Sequence, residues 1–202
     1  MRALPVLILA LVAATASAQE SIYVGIGFAN FDYSENTGDP LLGTVSDTAL
    51  NKKFFGGFEI NDNFTLEISY AKTDDLVDSK TALFFVDADD IPDAVTATLR
   101  TDFTITTLSA IGQVPFDWGA FMGGVGYFTS DSGFFADAFA PCCDLSLSNS
   151  GSISDNGLMA MLALEWRFGR FGARYGIRLE YEWWDMSNID SSALGIGVSY
   201  GF

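Results

Sequence analysis

Ser191-Ser192-Ala193-Leu194-Gly195-Ile196-Gly197-Val198-Ser199-Tyr200-Gly201-Phe202 ends the chain, and its pattern governs how everything before it is read. Ser192, Leu194, Ile196, Val198, Tyr200 and Phe202 alternate with Ser191, Ala193, Gly195, Gly197, Ser199 and Gly201. One face is bulky and apolar and the other is nearly bare. A period of two marks a strand whose faces meet two different environments. The last residue is aromatic and in register with the apolar face, where a soluble domain ordinarily frays into polar residues.

Working back from this end, the same alternation recurs. Phe171 to Trp184 sets Phe171, Ala173, Tyr175, Ile177, Leu179, Tyr181 and Trp183 against Arg174, Gly176, Arg178, Glu180, Glu182 and Trp184. Leu158 to Phe168 sets Leu162, Leu164 and Trp166 against Met161, Ala163, Glu165 and Arg167. Gly119 to Thr129, Phe64 to Ala71, about Lys52 to Ile60 and Ile22 to Phe31 behave alike. Thr98 to Val114 puts Leu99, Phe103 and Ile105 opposite Arg100, Asp102, Thr104 and Thr106, then loses clean alternation as a bulge would cause. The total is eight segments, each near the roughly 9–11 residues that a tilted membrane strand requires. Short turns fall at 61–63, 115–118 and 169–170. Long polar connections are expected at 32–50, 72–94 and 129–156, with a shorter one at 185–190. Short turns on one side and long loops on the other are the asymmetry of outer-membrane barrels.

The charged residues choose between a barrel with an apolar lumen and its inverse. Lys53, Glu59, Glu67, Arg100, Asp102, Glu165, Arg167, Arg174, Arg178, Glu180 and Glu182 are all read onto the face opposite the bulky one. They nearly neutralise one another, as charges inside a narrow eight-stranded barrel must, because buried charges persist only when paired. The other face is Leu, Ile, Val, Phe, Tyr and Trp, which would aggregate in water and suits lipid. The expectation is all-β: an eight-stranded antiparallel up-and-down transmembrane β-barrel. The bare face of the closing strand lies beside Arg174, Arg178, Glu180 and Glu182, leaving room for ion-paired side chains to cross the interior.

The start of the chain carries an address. Arg2, the apolar run Leu4 to Val12 and Ala16-Ser17-Ala18 read as a secretory signal over 1–18, leaving 19–202 as a single barrel domain. Removing Arg2 with the signal takes the formal net charge from −16 to −17. That balance disfavours nucleic acid as a partner, since phosphate binding needs clustered Lys and Arg.

Phe55-Gly56-Gly57-Phe58-Glu59-Ile60-Asn61-Asp62-Asn63-Phe64-Thr65-Leu66-Glu67-Ile68-Ser69-Tyr70 resembles the second hairpin of the OmpA-type outer-membrane barrel superfamily, and Tyr200-Gly201-Phe202 is similar to its closing strand. The resemblance extends over the whole mature chain and specifies fold far better than activity. It implies a bacterial outer-membrane location and a terminal signal, Tyr200 and Phe202, read by the barrel assembly machinery; the even strand number puts both termini on the short-turn side, the periplasm. A downstream peptidoglycan-binding domain is not expected, so wall tethering does not carry over.

Chemistry is sparse. Enzymes among small outer-membrane barrels use a catalytic His, and this chain has none. No catalytic residue, cofactor or metal site is assigned. Asp87-Ala88-Asp89-Asp90 offers oxygen atoms to divalent cations but lacks the Gly and distal Glu of an EF-hand loop. Cys142 and Cys143 are adjacent. An exported protein favours a disulfide, yet neighbouring cysteines close only a strained ring, so a vicinal disulfide and two separate fates both stand. The expected function is a non-enzymatic, monomeric structural or surface-interaction barrel. Its long acidic loops would face outer-membrane lipid and surface glycolipid, bridged by divalent cations. The alternative is a narrow porin-like channel or small-molecule conduit, suggested by Gly25, Gly27, Gly124, Gly126, Gly195 and Gly197 on the lumen face.

Overall fold

A computed structural model describes residues 22–36, 44–85, 92–141, 144–168, 174–187 and 189–202. The expected signal segment, Asp87-Ala88-Asp89-Asp90, Cys142, Cys143 and the 169–170 turn lie outside them. The described chain is nine strands: β1 (Ile22–Asn36), β2 (Thr44–Asn61), β3 (Phe64–Thr73), β4 (Leu76–Phe85), β5 (Pro92–Phe116), β6 (Gly119–Ala140), β7 (Leu145–Phe168), β8 (Arg174–Met186) and β9 (Ile189–Gly201). Every neighbouring pair is antiparallel, and the ring closes where β1 pairs β9, from Tyr23 opposite Gly201 to Glu35 opposite Ile189. Beyond β9, the Phe202 N–H donates to the Ile22 carbonyl at 3.0 Å.

Nine strands make eight staves because β3 and β4 share one. Lys72 lies opposite Thr104 of β5 and Leu76 opposite Thr101, so the stave gains one residue at Asp74-Asp75. An extra residue on one side of a ladder is a bulge, which bends the strand and swaps the faces beyond it. Thr73 and Leu76 accordingly both point inward, and Thr73 Oγ1 accepts the Phe103 N–H at 2.8 Å.

The outward side chains define a lipid-facing band. Val24, Ile26, Phe28, Phe54, Phe64, Leu66, Ile68, Leu108, Val125, Leu162, Leu179, Ile196 and Val198 are all exposed although apolar. The band stops, stave by stave, at Asn30, Lys52, Lys72, Asp102, Asp131, Asn156, Asp185 and Asp190, all on outward or strand-end positions. Aromatic rings edge it on both sides. Nearest the termini, Phe116, Trp118, Trp166, Phe168, Tyr175, Tyr200 and Phe202 line the rim, with Trp118 stacked on Trp166 at 6.2 Å and Tyr175 against Tyr200 at 5.3 Å. Tyr70, Tyr127, Tyr181 and Trp183 mark the far rim. Such paired girdles sit where amphipathic rings bridge hydrocarbon and headgroups. Leu162→Arg in mid-band is expected to cost about 2–4 kcal/mol in a bilayer-unfolding titration. Leu83→Arg, above the far rim, should stay within about 0.5 kcal/mol.

Much of the sequence assigned to long loops is strand. Residues 32–36, 44–50, 76–85, 92–97, 130–140 and 145–157 continue the staves past the far rim and build a raised crown. β8 and β9 turn back at Ser187, so the crown is tallest along β5, β6 and β7.

Candidate functional site: a filled lumen beneath a raised crown

The inward residues stack in three layers. Nearest the termini, Arg174 donates to Glu59 at 2.6 Å, and Arg167 bridges Glu165 at 2.8 Å while donating to the Gln113 side-chain carbonyl at 2.6 Å. Ser199 Oγ donates to the other Glu165 oxygen at 3.0 Å. Glu165 and Arg167 are two residues apart on β7, so the pleat alone puts both in the lumen.

The middle layer is fully buried. Arg178 Nη1 donates to Glu67 Oε2 at 2.7 Å, and the Tyr23 hydroxyl donates to the same oxygen at 2.6 Å. The Arg178 guanidinium also lies over the Phe55 ring, 4.6 Å from its centre. Lys53 Nζ is held between Glu180 Oε1 and Glu182 Oε1, each at 2.9 Å. Arg178, Lys53, Glu67, Glu180 and Glu182 are each no more than 3 % exposed. In such a setting each charge is sustained by its partner, and a lone member would be costly.

Glycines make this packing possible. A Cβ on Gly57 would sit 2.2 Å from Tyr23 Cζ, and one on Gly25 would sit 2.2 Å from Phe55 Cζ. Gly197 and Gly195 of the closing strand do lie opposite Arg178 and Glu180. The space they leave, however, is taken by the Phe55 ring and by Ala29, whose Cβ would be 2.6 Å from one added to Gly195. The bare face admits an aromatic ring that the charges then lean on.

Above the charges the lumen turns apolar. Phe31, Tyr33, Leu76, Phe103, Ile105, Phe128, Met159, Trp184 and Met186 form one buried cluster. Phe31 packs on Trp184 at 5.7 Å and on Phe103 at 5.5 Å, and Tyr33 packs on Phe103 at 5.4 Å. Burial, with the Glu35 carboxylate beside it, pushes the Tyr33 phenol well above its usual range.

Two of the lumen assignments are corrected here. Arg100 and Asp102 point outward, and Phe103 and Ile105 point in. The pairing of β5 with β6 runs unbroken from Thr96 to Phe116, so no bulge re-aims the strand. Asp102 instead meets Lys72 on the outer surface at 3.8 Å. The remaining Lys53, Glu59, Glu67, Glu165, Arg167, Arg174, Arg178, Glu180 and Glu182 share the lumen as four cations and five carboxylates. The alternation puts Trp184 on the inner face but gives no sign of the apolar plug around it. Tyr200 and Phe202 face the lipid band, their rings 5.9 Å apart. Among the described residues no group of three or more His, Cys, Asp or Glu is placed to hold a metal ion.

Comparison with known proteins adds a family to this geometry. The model described as "Outer membrane protein beta-barrel domain" matches residues 3–202. No curated protein matches the sequence. Among solved structures, Ail, the attachment invasion locus protein of Yersinia pestis, aligns at 14 % identity over 92 % of this chain and 100 % of its own, with a TM-score of 0.54. The same protein in complex with the heparin analogue sucrose octasulfate aligns at 15 % identity over the same shares, with a TM-score of 0.52. The outer membrane protein OprG of Pseudomonas aeruginosa aligns at 14 % identity over 92 % and 96 % of the two chains, with a TM-score of 0.50. At these identities the likeness is one of fold.

Proposed function

From membership of the outer membrane protein β-barrel family, to which this chain belongs, we propose a non-enzymatic barrel of the bacterial outer membrane. It anchors in the bilayer by its apolar outer band, wrapped around a solid, ion-paired lumen, and presents its strand crown at the cell surface, with both termini in the periplasm. The observation that carries this reading is the filled interior: an interlocked charge layer capped by an apolar plug. Such an interior supports a pedestal for the crown. The narrow-conduit reading needs a free path beside Gly25 and Gly197, and both look onto the Phe55 ring.

The crown is acidic. Asp47, Asp74, Asp78, Asp131, Asp137, Asp155, Asp185 and Asp190 stand there against Lys52, Lys72, Lys80 and Arg100. A surface of this sign disfavours polyanionic partners and suits divalent cations that bridge to anionic surface glycolipid. The absence of His in the sequence supports the non-enzymatic assignment.

Purified protein in planar bilayers is expected to give little or irregular conductance. Reproducible unitary conductance that shifts on Arg178→Ala would overturn the pedestal reading. Deleting Phe202 tests the assembly role. It should sharply reduce the folded, heat-modifiable form recovered from cell membranes, while refolding in detergent loses much less. Equal losses in both would reduce Phe202 to an ordinary girdle residue.

A further inference from the structure

The crown has two seams with no backbone ladder, one between β2 and β4 and one beside β7, and they are built differently. The open side of β4 is tied to β2 through charged side chains: Asp47 accepts the Val77 N–H at 2.7 Å, Asp78 accepts the Ser46 N–H at 3.4 Å, and Lys80 donates to the Thr44 carbonyl. Charges of this kind are what keep sheet edges from recruiting other strands. β7 has no such guard. Its residues 145–157 pair with β6 on one side, while pairing with β8 begins only at Met159. Among the described residues no strand lies against the other side. Asp155 ends this edge at its base by accepting the Ser187 N–H at 2.7 Å. From Leu145 to Ser154 there is neither a charged residue nor a proline.

The unguarded edge reads nearly the same in both directions. Ser146-Leu147-Ser148-Asn149-Ser150-Gly151-Ser152-Ile153-Ser154 is symmetric about Ser150, with Leu147 exchanged for Ile153 and Asn149 for Gly151. Leu147 is 66 % exposed and Ile153 60 %, on one face of the strand, and the serines occupy the other. We propose that this edge pairs antiparallel with the same edge of a second copy of the chain, on a two-fold axis at Ser150. Each Leu147 then lies opposite the other copy's Ile153, and serines lie opposite serines, the cross-strand pairs that stabilise an antiparallel ladder. An isologous contact of this kind needs a self-complementary strip, and the strip is written in the sequence. The axis runs across the strands, so the barrels meet crown to crown, and the closed wall within the lipid band plays no part. On the reading that the crown faces outward, the contact joins copies in facing membranes.

Cross-linking in detergent tests the register. In a background with Cys142→Ser and Cys143→Ser, refolded Ser150→Cys should form an intermolecular disulfide on mild oxidation, because residue 150 faces itself across the axis. Ser148→Cys mixed with Ser152→Cys should cross-link in roughly tenfold or higher yield than either alone, reflecting the effective concentration of aligned partners. Adding Leu147→Lys and Ile153→Lys should abolish the Ser150→Cys dimer, while the heat-dependent gel shift shows the barrel still folded. A folded Ser150→Cys protein that stays monomeric would overturn the pairing, as would Ser148→Cys alone cross-linking as well as the mixture. Neither result would touch the pedestal reading, which conductance tests separately.

Discussion

Arg178→Ala is expected to cost the folded barrel about 3–5 kcal/mol, seen as a large fall in the urea midpoint for unfolding from detergent or bilayer. The substitution removes the cation that Glu67 meets at 2.7 Å, and takes a second positive charge from beside Glu180, 3.7 Å away. Both carboxylates are buried in the intact barrel, and Glu67 also loses its guanidinium hydrogen bond. The penalty therefore comes from the stranded partners more than from the missing attraction. Arg178→Met combined with Glu67→Gln should accordingly be milder than the single substitution, since it removes both charges and leaves the Tyr23 hydroxyl an amide oxygen to donate to. Lys52→Ala supplies the contrast. Lys52 and Asp74 pair at 2.5 Å but are each about half exposed, and such pairs contribute only about 0–1 kcal/mol. A loss at Arg178 no larger than at Lys52 would mean that water enters the middle layer.

The closing strand shows why most of this fold was legible. Within the lipid band every stave keeps hydrocarbon on one side and a crowded lumen on the other, so bulky and small or charged residues separate by parity. That rule placed Lys53, Glu67, Glu165, Arg178, Glu180 and Glu182 on the inner face from sequence alone. It failed on Arg100 and Asp102 because β5 crosses the far rim between Thr104 and Asp102. Beyond the rim the outside is water and the inside is a packed core, so the polarity of the two faces inverts. Carrying the membrane rule upward assigns Phe103 to lipid; Ile105, just inside the rim between the outward-facing Thr104 and Thr106, is misassigned with it because its outward neighbours are polar, and the plug disappears from view. Composition misled in the same region. Ser-, Gly- and Asp-rich stretches such as 145–157 suggest loops, yet ladder pairing with β6 holds them as strand. The extra residue at Asp74-Asp75 was equally hidden, because it shows only when the pairings of β3 and β4 with β5 are counted together.

Trp184→Ala should be the most damaging truncation in the plug, about 3–5 kcal/mol, because it empties the volume of an indole in a close-packed interior. Trp184 is 1 % exposed, and its ring packs on Phe31, which in turn contacts Phe103 and, through it, Tyr33. Loosening that chain of rings should also speed amide hydrogen exchange in the crown segments of β1 and β5, which the rings hold from within. Conductance should still not appear, because the Lys53 and Arg178 layer fills the lumen beneath. Its neighbour makes the test exacting. Trp183 is the same residue type one position earlier on β8, but it points into the lipid band and is 42 % exposed. Trp183→Ala opens no cavity in a packed core, and its cost should be clearly smaller. Successive residues of a strand face opposite sides, so the two substitutions read the register of β8 directly. A larger loss at Trp183 than at Trp184 would put the strand one residue out, which would send Arg178, Glu180 and Glu182 into hydrocarbon and leave Lys53 and Glu67 without partners.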